Sequence, residues 1–189
     1  MERPMSLRRR NKLHSMRLVQ AAAIDLFEVQ GYGLTTVEAV AARCGVSAST
    51  IYRHFGSKEH LVLWDERDDV IDDELSRRLV DQDPLEAIRD AAITAFAHRD
   101  DPQLFLRRLR LVYAEPDIWA AAALQDRLDR ADLASAIASA AGRRSVSVGD
   151  DVIAATCLAA LDVAFDHWQR SNGAEGLTEM IALACQRPV

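Results

Sequence analysis

An all-α fold follows from three features of this 189-residue sequence. Apolar residues recur at three- and four-residue spacing along most of the chain, and no stretch shows the strict alternation of a half-buried strand. Apolar residues make up 49% of the chain with alanine dominant, and aromatics only 6%, a mixture suited to close helix packing rather than to sheets. Caps, prolines and glycines fall where helices of ordinary length would begin and end.

The first long helix is expected from about Asn11 to Gln30, preceded by the basic run Arg8, Arg9, Arg10 and Lys12. Met16, Val19, Gln20, Ala23, Ile24, Leu26 and Phe27 give it a broad buried stripe, Gly31 and Gly33 end it, and Tyr32 and Leu34 anchor the loop. Thr35 to Phe55 then reads as two short helices around a tight turn. Thr35 and Glu38 fit a capping box, and Val37, Val40 and Ala41 form one apolar face. Gly45 supplies the left-handed residue that turns the chain. Ser47 caps the second helix, whose Ile51 and Phe55 lie four apart and face inward. Its outer face is Ala48, Ser49, Thr50, Tyr52, Arg53 and His54, with no acid among them. Small residues at the start admit a helix to a major groove, and the longer polar ones reach bases and phosphates.

Ser57-Lys58-Glu59 starts a helix expected to run through Leu61, Val62 and Trp64 to about Val80. Its acidic middle reads either as a cation site or as a solvated face, and the i,i+4 pairs Asp73–Arg77 and Glu74–Arg78 favour the latter. Asp83-Pro84 starts a helix to about His98, Asp101-Pro102 one to about Ala114, and Glu115-Pro116 one to about Ala140. After a loop over 142–149, Ser147 and Asp150 cap a helix to about Arg170 that is apolar around almost its whole circumference. A helix apolar all round must be covered all round, so one face is expected to meet a second copy of the chain. The last helix, about Ala174 to Gln186, completes a four-helix arrangement about a two-fold axis. The interface candidates are Ala155, Leu158, Ala159, Asp162, Phe165, Leu177 and Ile181.

The net charge of −6 is unevenly spread. Residues 1–60 hold nine Lys/Arg against five Asp/Glu, and the remainder fourteen against twenty-four. A basic first third followed by an acidic body is the asymmetry of a DNA-reading head on a domain that does not touch DNA. The domains are accordingly expected at 1–56 and 57–189. Cys44, Cys157 and Cys185 are far apart and show no C-x-x-C spacing, which speaks against a disulfide framework or a zinc site and for a reducing cytoplasm. No apolar run has the length of a signal peptide or a membrane span. Enzyme signatures are missing as well: there is no G-x-S-x-G, no phosphate-cradling glycine loop and no H-E-x-x-H. No metal or cofactor is expected.

The run from about Val19 to Val62 closely resembles the DNA-binding domain of the TetR family of bacterial regulators. The landmarks are Phe27 and Gly31 at the end of the first helix, Thr35-Thr36, Ala41-Ala42, Gly45-Val46-Ser47, Ile51-Tyr52, His54-Phe55 and Ser57-Lys58-Glu59. The resemblance implies a three-helix head, a connecting fourth helix and a homodimer made by the last two long helices. It implies phosphate contacts at Thr36, Tyr52, His54 and Lys58, and base reading by Ala48, Ser49, Thr50 and Arg53, with Ser47 at the cap. Arg53 is the candidate for a guanine, with a phosphate contact as its alternative; His54 either touches phosphate or packs. Arg8, Arg9 and Arg10 serve either as an arm on DNA or as a solubilising tail. The segment from Leu104 to Leu128 is also similar to actinobacterial regulators found beside mycofactocin gene clusters, some associated with acyl-CoA ligands.

The implied function is a ligand-responsive homodimeric repressor released from a palindromic operator by a small molecule, an acyl-CoA or other apolar compound. An activator on the same fold and a helical protein-interaction adaptor are the alternatives. Pocket candidates are Trp64, Phe96, Phe105, Leu109, Tyr113, Trp119, Phe165 and Trp168, with His98, Arg107, Arg108 and Arg110 as polar groups.

Overall fold

The computed structural model describes residues 7–97 and 101–186. Among the described residues no strand occurs, as the sequence predicts, and ten helices follow one another where nine are expected. They are α1 (Leu7–Gln30), α2 (Val37–Cys44), α3 (Ala48–Phe55), α4 (His60–Leu63), α5 (Asp68–Arg78), α6 (Pro84–Phe96), α7 (Pro102–Ala114), α8 (Pro116–Ala140), α9 (Val148–Arg170) and α10 (Leu177–Ala184). They group into two compact units. The head comprises the chain through Trp64 together with 111–121, and the body comprises 65–110 and 122 onward.

In the head, α1 packs on α2 and α4, and α2 packs on α3. Met16, Val19, Ala23, Ile24 and Phe27 of α1 are buried, as are Val37, Val40, Ala41, Ile51, Phe55, Leu61 and Val62. Full burial of a side chain of this kind is worth about 1.5–3 kcal/mol, so this cluster holds the small helices in place against their poor intrinsic stability. Thr36 caps α2, its Oγ1 accepting from the Ala39 amide at 3.1 Å. Thr35, expected at the cap, is instead buried and donates to the Gly31 carbonyl at 2.9 Å, tying the loop to the end of α1.

The helix expected from 57 to about 80 is broken in two. Trp64 leaves helical geometry at ψ 126°, and the Asp65 carboxylate accepts from the Arg67 amide at 3.0 Å to open α5. The carbonyls freed at the break have a dedicated donor, the buried Gln20. Its Nε2 donates to the Leu61 carbonyl at 3.0 Å and the Trp64 carbonyl at 2.8 Å. Of the two expected pairs in α5, Glu74–Arg78 is present, whereas Arg77 pairs with Glu74 and donates to the Asp73 backbone carbonyl instead of its carboxylate.

In the body, α6 packs on α5, α9 and α10, and α9 packs on α10. Asp83 caps α6 through the Leu85 amide at 3.1 Å, with Pro84 in the first turn, and the helix buries Ala87, Ile88, Ala91, Ala92, Ala95 and Phe96. Ser147 and Asp150 form the expected capping box of α9. Arg143 grips the Asp150 carboxylate with both guanidinium nitrogens, and together with the Ser147 amide it holds that carboxyl well below the usual range. Helix α9 buries Ala154, Cys157, Leu161, Ala164 and Trp168 and exposes Val152, Ile153 and Val163 on another face. One interface candidate needs correction. Ile181 is fully buried inside the chain, where α10 meets α6 and α9, and Phe165 makes ring contacts with Phe96 and Phe105. Ala159 and Asp162 are exposed, while Ala155, Leu158 and Leu177 are half-buried. No helix among the described residues is long and apolar enough to cross a membrane, and no described cluster of His, Cys, Asp or Glu is arranged to hold a metal ion.

Candidate nucleic-acid interface

The turn between α2 and α3 is fixed by hydrogen bonds that only a left-handed residue permits. Gly45, at φ 66°, lets the amides of Gly45 and Val46 reach the carbonyls of Ala42 (3.3 Å) and Ala41 (3.0 Å). Ser47 then caps α3, its Oγ accepting from the Thr50 amide at 3.2 Å. The same oxygen lies 2.9 Å from Ser49 Oγ and 2.8 Å from Thr50 Oγ1, so three hydroxyls form one chain at the tip of the helix. Ile51 and Phe55 are buried, with α3 packed on α2 and Phe55 edge-on to Trp64, which fixes the rotation of α3 about its axis. Ser49, Tyr52 and Arg53 are exposed, and Ala48, Thr50 and His54 half-buried. Tyr52 keeps 47% of its surface in solvent, a large exposure for an aromatic with no partner in the core.

The basic run ahead of α1 is helical in structure: α1 begins at Leu7, so Arg8, Arg9, Arg10 and Lys12 lie in its opening turns. An open cleft of about 770 Å³ is lined by Arg8, Arg9, Asn11, Lys12 and Ser15 of α1 together with Arg53 and His54 of α3. Desolvation, then the neighbouring charges of Lys12 and Arg53, hold the His54 imidazole below its ordinary value. Asn11 and Ser15 were not marked by sequence reasoning. The signal was present, since Arg8, Lys12 and Ser15 are spaced i, i+4, i+7 and share a helix face once the helix is extended four residues toward the N-terminus. Arg10 is exposed and does not line the cleft.

Two other candidates have different surroundings. Thr36 is exposed, its hydroxyl oxygen engaged as the cap of α2. Lys58 is turned onto the loop after α1: its ammonium donates to the Tyr32 carbonyl and lies 3.9 Å from the centre of the Tyr32 ring. Tyr32 in turn donates its hydroxyl to Glu59 at 2.8 Å, so Lys58 and Glu59 clamp this residue from two sides. Burial and the Glu59 carboxylate push the Tyr32 phenol well above its ordinary range.

The pocket candidates divide between the units. Trp64, Tyr113 and Trp119 belong to the head, and Trp119 is 59% exposed. In the body, Phe96 stacks on Phe105 with ring centres 5.4 Å apart, Phe105 stacks on Trp168 at 5.8 Å, and Phe165 sits edge-on to Phe96 and Phe105 at 5.5 Å. Leu109 is buried in the same unit. Arg108 lies against the Phe105 ring and forms a buried 2.9 Å ion pair with Asp65. Arg110 donates to the Asn172 side chain. His98 lies outside the described residues.

Comparison with known proteins agrees with this geometry. Residues 20–63 match the family described as bacterial regulatory proteins, tetR family, and residues 82–187 match the MftR C-terminal domain. The putative mycofactocin biosynthesis transcriptional regulator MftR of Mycobacterium tuberculosis is 25% identical over 171 residues, covering 88% of this chain and 85% of its own. The HTH-type transcriptional regulator TcmR of Streptomyces glaucescens is 32% identical over 138 residues, covering 68% of this chain and 60% of its own. Among solved structures, the SmeT–triclosan complex superposes with a TM-score of 0.58 at 18% identity, covering 91% of this chain and 88% of that one. NalD of Pseudomonas aeruginosa, the secondary repressor of the MexAB-OprM efflux pump, gives 0.54 at 17% identity, covering 93% of each. The carboxy-terminal match alone spans more than half of the sequence, and with the family's amino-terminal domain matched over residues 20–63, this chain belongs to the TetR family of bacterial transcriptional regulators.

Proposed function

We propose that the chain acts as a homodimeric, ligand-responsive repressor that reads a palindromic operator through α3. The single observation that carries this reading is the outer face of α3: Ala48, Ser49, Thr50, Tyr52, Arg53 and His54 present hydroxyls, an aromatic and basic groups with no carboxylate. The buried Ile51 and Phe55 leave that face no rotational freedom. Arg53 reads a guanine in the major groove, Ser49 and Thr50 meet base edges, and Tyr52, His54 and Thr36 hold phosphates. Arg8 and Arg9 add contacts from α1. Two heads joined by a dimer then meet half-sites ~34–36 Å apart.

The dimer forms through the apolar outer face of α9 with α10, around Ala155, Leu158 and Ala159. Support comes from Val152 and Val163, 59% and 50% exposed on α9, and Leu183, 62% exposed on α10. The effector presents an apolar moiety, with the acyl chain of an acyl-CoA the class to try first, bound against Phe96, Phe105, Leu109, Phe165 and Trp168. A ligand that prefers a body conformation with a different head spacing weakens DNA binding by that preference and no more.

Selection of bound duplexes from a random-sequence pool tests the reading. The expected product is an inverted repeat whose affinity falls steeply with salt. Recovery of no consensus, together with salt-independent binding, would overturn it. Lauroyl-CoA titrated into the protein–duplex complex then tests the effector class through release of the labelled duplex.

A further inference from the structure

The break between α4 and α5 falls where the chain passes from one unit to the other, with Trp64 the last residue on the head side and Asp65 the first on the body side. Nothing local calls for a break, since residues 58–80 contain neither glycine nor proline. A continuous helix is therefore a competing state of this segment. In it the Leu61 and Trp64 carbonyls would accept from the amides of Asp65 and Asp68, and the Arg67 amide would reach the Leu63 carbonyl. In the broken state substitutes are in place. Gln20 Nε2 donates to the Leu61 and Trp64 carbonyls at 3.0 and 2.8 Å, the Arg67 amide donates to the Asp65 carboxylate at 3.0 Å, and the Asp68 amide turns to the Asp65 carbonyl at 3.4 Å. Both states satisfy the two carbonyls, so a side-chain contact can choose between them.

On the body side that contact is the ion pair of Asp65 with Arg108, 2.9 Å long, with side chains 10% and 7% exposed. Asp65 divides its oxygens between the two states' competitors: Oδ1 accepts from the Arg67 amide, which only the break requires, and Oδ2 from Arg108. Arg108 in turn lies 5.5 Å from the centre of the Phe105 ring, and Phe105 stacks on Phe96 and Trp168. Within the body, contacts thus run without a gap from the aromatic cluster through Arg108 and Asp65 to the first turn of α5.

We infer that the Arg108–Asp65 pair is a latch that holds the α4–α5 joint broken, and that an effector with an anionic group on an apolar chain opens it by drawing the Arg108 guanidinium from Asp65. Once Asp65 is released, the segment closes into one helix. The inference rests on the ligand-responsive function proposed above and adds to it a trigger and a moving part. The anionic group, a carboxylate or a phosphate, is required because a buried guanidinium that loses one carboxylate needs another acceptor of the same charge. The apolar chain is held by the aromatic cluster next to Arg108, so one molecule meets both demands.

Backbone Cα chemical shifts of residues 64–67 in the full chain report the state of the joint whether or not DNA is bound. The wild type should show a non-helical value at Trp64, whose ψ is 126°. Asp65→Asn combined with Arg108→Met removes both charges and keeps an acceptor for the Arg67 amide, so it isolates the ion pair without stranding a charge. That double variant should move the 64–67 shifts to helical values and weaken binding of the selected duplex by about tenfold. Arg108→Lys, which keeps a cation for Asp65, should stay at the wild-type shifts. In the wild type, lauroyl-CoA and laurate should move the same resonances toward those of the double variant, and 1-dodecanol should not. Wild-type shifts in the folded double variant overturn the latch. Either anion bound with no change at 64–67, or 1-dodecanol as effective as both, overturns the trigger. Failure of the wild type to bind any duplex removes the DNA-reading function instead, and the shifts still decide the latch.

Discussion

At the scale of single residues, the three thiols sit in different degrees of enclosure. Cys157 and Cys185 are buried, and desolvation pushes the Cys157 thiol up to about 12, whereas Cys44 at the end of α2 is half-buried. Since the thiolate is the reactive form, native protein should release one equivalent of thionitrobenzoate rapidly and two more only on unfolding. Asp150 gives a second test. Its carboxyl is held low by Arg143 and the Ser147 amide in the folded state, so folding favours the deprotonated form. The stabilisation is complete above the ordinary carboxylate value and is lost as pH falls below it; Arg143→Ala should therefore narrow the Tm difference between pH 6 and pH 3. The Ser147–Asp150 box was legible in the sequence because it is local. The role of Arg143, reaching back across the loop, was not, because no periodicity links the two positions. Lys58 was likewise illegible, since its choice between solvent and the Tyr32 carbonyl is made by a loop 26 residues away.

At the scale of elements, the boundaries of α2, α3, α6, α7, α8 and α9 could be read from caps, prolines and Gly45, all of which act within one or two turns. The break between α4 and α5 could not. Residues 58–80 contain neither glycine nor proline, so local propensity favours one continuous helix. The break is held by tertiary bonds: Gln20 satisfies two carbonyls from 41 and 44 residues away, and Asp65 accepts from the Arg67 amide ahead of α5 while pairing with Arg108. Gln20→Leu removes the donor and leaves buried carbonyls unmatched, which should lower stability by about 1–3 kcal/mol in urea denaturation. Arg108→Ala takes the guanidinium from the buried Asp65 carboxylate, whose side chain is 10% exposed and which keeps the Arg67 amide, and should lower stability by up to about 3–5 kcal/mol. Equal and negligible effects of both changes would show that the break is not held in this way.

At the scale of the whole molecule, the charge division was the most informative sequence property: a basic head and an acidic body, in a chain whose net charge alone argues against DNA. A helix apolar almost all round is what calls for a partner in the sequence. The side of α9 that faces outward was not legible, because alanine and leucine occur on both faces and only packing against α6 and α10 chooses between them. Ile181, an interface candidate, lies inward for that reason, while Phe165 is half-buried. Sedimentation equilibrium should give a dimer mass, and Ala159→Arg, which sets a charge on the exposed face, should give a monomer of unchanged helix content; a wild-type monomer would remove the two-fold part. The central claim is that α3 reads DNA through Arg53 and its neighbours. Hydroxyl-radical footprinting on the selected duplex tests it most directly: two protected patches about one helical turn apart, lost with Arg53→Ala at a protein concentration that saturates the wild type, are the predicted result. An identical footprint from the Arg53→Ala protein at that concentration would contradict it.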